Sequence, residues 1–152
     1  MDIFTLISED HGYIQDLLEQ ICLINPRNHE YKIASFMKLR EAVIAHNEAE
    51  DGTLYIALNA YPATKETAKL LYNEHEEINA AMSALSNAAL TPHEWRKKFS
   101  QFRHMLLAHI ANEENKVFTE AHHVISPEMA QELRISMEEM KYIKQELFHK
   151  AS

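Results

Sequence analysis

The chain has 152 residues, of which 46% are hydrophobic and 9% aromatic, enough for one ordinary domain with a real core. Its formal charge of −8 comes from 23 acidic and 15 basic residues, with no Lys/Arg run long enough to track a phosphate backbone, which argues against nucleic acid as a partner. Two glycines and four prolines are too few for an all-β fold, and a single cysteine, Cys22, leaves no internal disulfide and no multi-cysteine metal site. An all-α protein is expected. The N-terminus, M-D-I-F-T-L-I-S-E-D-H, has neither a basic n-region nor an uninterrupted apolar stretch. No signal peptide or membrane span is therefore expected, and the expected location is the cytoplasm.

Five helical segments follow in chain order. The first, from about Ile3 to Ile24, repeats Phe4, Ile7, His11, Ile14, Leu18 and Ile21 at spacings of three and four, the stripe of a core-facing helix. The second, from about Glu30 to the mid-fifties, carries Phe36, Leu39, Val43, His46, Glu50 and Leu54 on one face. The third, from about Lys65 to Ala89, carries Ala68, Leu71, His75, Ile78, Met82 and Leu85. The fourth, from Pro92 to about His122, opens on a capping box from Thr91 to Glu94 and lines up Trp95, Phe99, Phe102, Leu106, His109, Glu113 and Val117. Ser126, Pro127 and Glu128 cap a fifth, with Met129, Leu133, Met137, Met140 and Leu147 on its apolar face.

Short connections between long helices favour antiparallel neighbours. The expected architecture is an up-and-down antiparallel four-helix bundle over residues 1–122. An additional amphipathic C-terminal helix over 123–152 is expected to pack on the bundle or on a partner subunit, the latter giving a homodimer.

The bundle reads as one helical hairpin written twice. A shift of 64 residues carries Ile7, His11, Ile14, Leu18 and Ile21 onto Leu71, His75, Ile78, Met82 and Leu85, and a shift of 63 carries Arg40, Ala45, His46 and Glu50 onto Arg103, Ala108, His109 and Glu113. Each copy supplies one histidine from its first helix and a His-x-x-x-Glu pair from its second. Residues four apart share a helix face, about 6 Å apart along the axis, so each pair points both groups into one layer of the core. Burying ionised carboxylates without partners costs several kcal/mol, and no lysine or arginine occupies these stripes. Metal cations are the natural compensation. Four imidazoles and two carboxylates can hold two ions, with each carboxylate bridging; the donor types suit iron, and also zinc, manganese or copper.

One histidine on an apolar face is usually a hydrogen-bonded core residue, but four at equivalent positions, two with a glutamate at the same offset, are hard to obtain that way. The remaining histidines, His29, His93, His104, His122, His123 and His149, fall off the stripes or near segment ends and read as surface residues.

The motifs D-H-G-Y-I-Q-D-L-L, H-N-E-A-E, N-E-H-E-E-I and H-I-A-N-E-E resemble those of the hemerythrin-like, or HHE cation-binding, domain over residues 1 to about 120. The resemblance implies a four-helix bundle around a non-haem di-iron centre with an oxo or hydroxo bridge. By position, His11 and His46 would hold one iron, His75 and His109 the other, and Glu50 and Glu113 would bridge them. Oxygen-carrying members have a further histidine four residues after the third-helix ligand, where this chain has Asn79, and an aspartate five residues after the last histidine, where this chain has Glu113 at four. Gln15 and Asn79 hold matching positions after His11 and His75, either beside a terminal ligand of each iron or merely finishing the polar edge of the core.

Open iron positions bind dioxygen, nitric oxide or peroxide, so the expected function is binding or sensing of such small ligands, with redox turnover an added outcome. Iron donation or repair of damaged iron centres is the neighbouring alternative. A ferritin-like oxidase fits poorly, because neither repeat shows Glu-x-x-His at its core positions. A reading of another class is a partner-binding helical module with a structural metal, docking through the methionines of its last helix.

Overall fold

The computed structural model describes residues 1–151. Four long helices form the bundle: α1 (Ile3–Leu23), α2 (His29–Asp51), α4 (Lys65–Leu85) and α5 (Pro92–Asn112). A short α3 (Leu54–Asn59) follows α2. A π-helical turn (Glu113–Val117) and a short α6 (Phe118–Ala121) extend α5, and α7 (Pro127–Ala151) closes the chain. No strand occurs among the described residues, and none of their helices is long and apolar enough to cross a membrane. The long helices pack in the cyclic order α1, α2, α4, α5 and back to α1, with α7 lying against α1 and α2.

The ends of the helices follow from local chemistry. Asp2 accepts the Thr5 N–H at 3.0 Å to start α1, and the Thr91 capping box starts α5. Ser126 Oγ accepts the Met129 N–H at 3.1 Å at the start of α7. Three boundaries differ from the sequence reading. Helix α2 stops at Asp51 instead of running on: Thr53 leaves helical geometry and its hydroxyl donates to the Ala49 carbonyl at 2.6 Å. Helix α4 ends at Leu85, four residues early, where Asn87 Oδ1 takes the Ala89 N–H in a local turn. The fourth segment is not one α-helix, since its backbone widens into the π turn immediately after Asn112.

The hydrophobic interior has two parts with a polar layer between them. One contains Ile14, Leu18, Phe36, Leu39, Met82, Phe99 and Phe102, and is anchored by Trp95, whose indole N–H donates to the Leu85 carbonyl at 2.9 Å. The other contains Ile3, Ile7, Leu54, Leu58, Leu71, Val117 and Phe118, and takes in Ala130 and Met137 from α7.

The inward face of α7 follows its apolar stripe as far as Met137, with Met129 and Leu133 packed against the core, and departs from it beyond that point. Ala130 and Met137 are buried, but Met140 is 41% and Leu147 57% exposed. From Met137 the line facing the bundle runs instead through Lys141, Lys144 and Phe148, at heptad spacing. Lys141 meets Asp10, Lys144 meets Glu48 at 3.1 Å, and the Lys144 ammonium lies over the Phe148 ring.

Candidate metal centre

The polar layer holds His11 from α1, His46 and Glu50 from α2, His75 from α4, His109 from α5 and Glu113 from the π turn. All six are almost completely buried, and neither glutamate has any exposed surface. The six residues singled out by the repeat are therefore brought to one level of the bundle. Glu50 Oε1 lies 3.1 Å from His46 Nε2 and 3.4 Å from His75 Nε2, so this carboxylate reaches into both halves of the layer. Glu113 Oε1 lies 3.2 Å from His11 Nε2, while its Oε2 is 4.0 Å from His109 Nε2. The Nε2 atoms of His75 and His109 face each other at 3.2 Å.

Ligand-type atoms converge in two groups: His11, His46, Glu50 and Glu113 in one, and Glu50, His75 and His109 in the other. Several of these atoms are buried without a hydrogen-bond partner, namely His11 Nε2, His46 Nε2, both Glu50 oxygens and Glu113 Oε1. They approach one another without hydrogen-bond alignment. Nitrogen and oxygen donors left unsatisfied in a closed layer suit a cation, which accepts several lone pairs at once.

The far side of each imidazole is treated identically. Nδ1 of His11 meets Glu114 at 3.0 Å, that of His46 meets Asp10 at 2.8 Å, that of His75 meets Asp51 at 2.7 Å, and that of His109 meets Glu74 at 2.7 Å. An Nδ1–H donated to a carboxylate fixes the ring and the tautomer, and turns a basic Nε2 inward. These four acids obey the repeat: Asp10 and Glu74 directly precede the first histidine of each copy, and Asp51 and Glu114 directly follow its glutamate. The sequence reading missed them although adjacency in both copies was there to find.

Electrostatics in the layer suits it to positive charge. Burial alone would raise the Glu50 pKa, but His46 and His75 outweigh it and hold the carboxyl well below its ordinary value. Burial and the Glu50 charge together push Glu113 upward. Burial opposes protonation of His46, yet Glu50 and Asp10 raise it to about 10; the same opposition at His75 is overcome by Asp51 and Glu50, giving about 9. At His11 burial is outweighed by the close approach of the Glu113 carboxylate and the charge of Glu50, again raising the pKa. Without metal, imidazolium protons neutralise the buried carboxylates, and a metal ion has to displace them.

Tyr55, which the sequence reading did not single out, completes the layer. The break after Asp51 turns α3 so that the Tyr55 hydroxyl donates to Glu113 and lies 3.1 Å from His75 Nε2. Burial, with Glu50 and Glu113 nearby, raises its pKa well above the usual value, so the phenol keeps its proton. The repeat-related residue is Phe118, which has no hydroxyl, so this feature belongs to one half only.

Gln15 and Asn79 do not join the layer. Both are exposed, because Ile14 and Ile78, one residue earlier in each helix, take the inward positions. Among the other histidines, His93, His104, His122, His123 and His149 are exposed as expected, whereas His29 is half-buried with its ring edge-on to Trp95.

Comparison with known proteins agrees with this geometry. The family profile described as hemerythrin HHE cation binding domain matches residues 2–121. A crystal structure of a hemerythrin HHE cation binding domain-containing protein from Mycobacterium kansasii is similar in fold, with a TM-score of 0.83 and 23% identity over 99% of this chain and 91% of that one. A search of curated proteins returns no match. With the match spanning most of the chain and a buried His/Glu layer at the centre of its bundle, this protein belongs to the hemerythrin HHE cation-binding domain family.

Proposed function

We propose that the protein holds two iron ions in the polar layer and binds dioxygen, nitric oxide or peroxide there. His11 and His46 serve one ion, His75 and His109 the other, and Glu50 and Glu113 lie between them. The observation that carries this reading is the convergence of buried imidazole and carboxylate donors in two groups, those of His11, His46, Glu50 and Glu113 including atoms without a hydrogen-bond partner, with no lysine or arginine among them. When bound, such iron supplies electrons and Lewis acidity to a small ligand.

The chain's own residues supply the rest. The four carboxylates at Nδ1 orient the imidazoles. The two hydrophobic clusters above and below the layer exclude bulk water, which strengthens every electrostatic contact inside it. The Tyr55 hydroxyl, which keeps its proton, donates to Glu113 at the His75 half, the only hydroxyl donor to either central glutamate among the described residues.

Anaerobic, ferrous-loaded protein exposed in turn to nitric oxide, air and peroxide tests the function. New visible absorption with each addition, at constant helix content, is expected. A loaded protein that stays colourless and unchanged under all three would contradict the reading and leave a structural cation.

A further inference from the structure

The Tyr55 ring, as well as its hydroxyl, meets the layer. Among the described residues the ring contacts of the four central histidines are His11 with His46, His75 with His109, and His75 with Tyr55, the last at 4.8 Å between centroids. Behind Tyr55 stands Tyr72 of α4, edge-on at 5.5 Å between centroids and 90° between planes, within the usual range for contacting aromatic rings. Tyr55 is fully buried, whereas Tyr72 is only partly so. The Tyr72 ring forms part of the wall of a surface cavity of about 260 Å³, beside Lys65, Lys69 and Asn73. Its hydroxyl donates to the Asp51 carbonyl oxygen at 3.0 Å, and the Asp51 carboxylate holds His75 Nδ1. Tyr72 is thus tied to His75 along both edges of the imidazole, through Tyr55 at Nε2 and through Asp51 at Nδ1.

This pair of phenols exists in one half only. The repeat counterparts of Tyr55 and Tyr72 are Phe118, whose ring is far harder to oxidise, and Ser8, which has no ring. Trp95, the other kind of readily oxidised ring, stands among His29, Phe36 and Phe99 and touches no central histidine. Two phenols in contact, one against an imidazole of the layer and one at water, make a continuous route for single electrons.

We propose that Tyr55 and Tyr72 form a one-electron path out of the metal layer, with Tyr72 the side chain oxidised when peroxide exceeds the electrons stored in the layer. This rests on the two-iron, peroxide-binding reading above. Each peroxide takes up two electrons and two protons to become two waters. A ferrous pair supplies two electrons and Tyr72 a third, so across two chains three peroxides become six waters. Tyr72 loses its electron through the Tyr55 ring and its phenol proton to water in the cavity, which leaves a neutral phenoxyl radical; the remaining four protons come from solvent.

The test is excess peroxide added to ferrous-loaded protein in the presence of a nitrone spin trap, with the labelled residues located by peptide mass spectrometry. Label on Tyr72 should exceed that on Tyr13, Tyr31 and Tyr142 severalfold, although those three rings are the more exposed. Tyr55→Phe leaves Tyr72 and its cavity in place and should remove most of the Tyr72 label. Tyr72→Phe, which keeps the ring and lies outside the donor set, should lower the freeze-quenched phenoxyl signal in electron paramagnetic resonance severalfold. Metal-free protein should give no label at Tyr72. Label shared evenly among the exposed tyrosines, label at Tyr72 that survives Tyr55→Phe or metal removal, or a radical signal unchanged in Tyr72→Phe overturns the inference. Protein that holds two ions and is oxidised by peroxide while Tyr72 stays unlabelled defeats the inference alone. Protein that holds fewer than two ions, or that peroxide leaves unoxidised, defeats the underlying reading and the inference with it.

Discussion

A histidine is a useful metal donor only if its other nitrogen is held, and here that is done four times by the same device, a carboxylate at Nδ1. Two of these acids are reached within one copy of the repeat, Asp10 to His46 and Glu74 to His109. The other two cross between copies, Asp51 to His75 and Glu114 to His11. The layer is therefore knitted in both directions, and loss of one acid loosens one ring without unfolding a helix. Replacing Asp51 by Asn or Glu74 by Gln should weaken metal affinity about 10–100-fold with helix content unchanged. Competition titration against a chelator measures it; an affinity equal to that of the parent protein would show that these bonds do not orient the donors. The six central residues were legible because a repeat places identical residue types at identical helix positions. Their four acidic partners were equally present in the sequence, but adjacency on a helix says nothing of direction. Asp10 points to a different helix from its neighbour His11.

Elements were legible where periodicity decides them, and not where a single side chain does. The stripes of α1, α2, α4 and α5 appear in the structure as read, whereas the stop after Asp51 depends on one hydroxyl, that of Thr53, bonding back to Ala49. The π turn solves the same problem in the second copy by widening the helix, so that consecutive Glu113 and Glu114 serve the interior and His11 Nδ1 respectively. Neither device has a hydrophobic signature. Helix α7 follows its apolar stripe through Met129, Leu133 and Met137 and departs from the reading only beyond, for a related reason: there its bundle-facing line carries lysines whose charges are met by Asp10 and Glu48, while apolar Leu147 faces out. Met137→Ala should therefore cost about 2–5 kcal/mol, the range for truncating a buried large apolar side chain. Leu147→Ala should stay within about 0.5 kcal/mol, as exposed substitutions do. Denaturant midpoints of the two variants check this, and equal losses would mean that α7 is packed on a different face.

The whole molecule is two hydrophobic cores held apart by a charged layer, an arrangement that dry packing alone would not favour. Buried carboxylates cost several kcal/mol each unless paired, and in the metal-free protein imidazolium protons on His46 and His75 provide the pairing. A helical hairpin used twice brings the same donors from both sides, and α7 then breaks the symmetry by packing against α1 and α2. Such an interior suits cations, and the proposed number of ions is directly countable. Iron analysis of ferrous-loaded, desalted protein, set against the chain concentration, should give two ions per chain, falling well below two in Glu50→Ala, where the carboxylate reaching both halves is gone. One ion or none in the parent protein, or two retained in Glu50→Ala, would contradict the account.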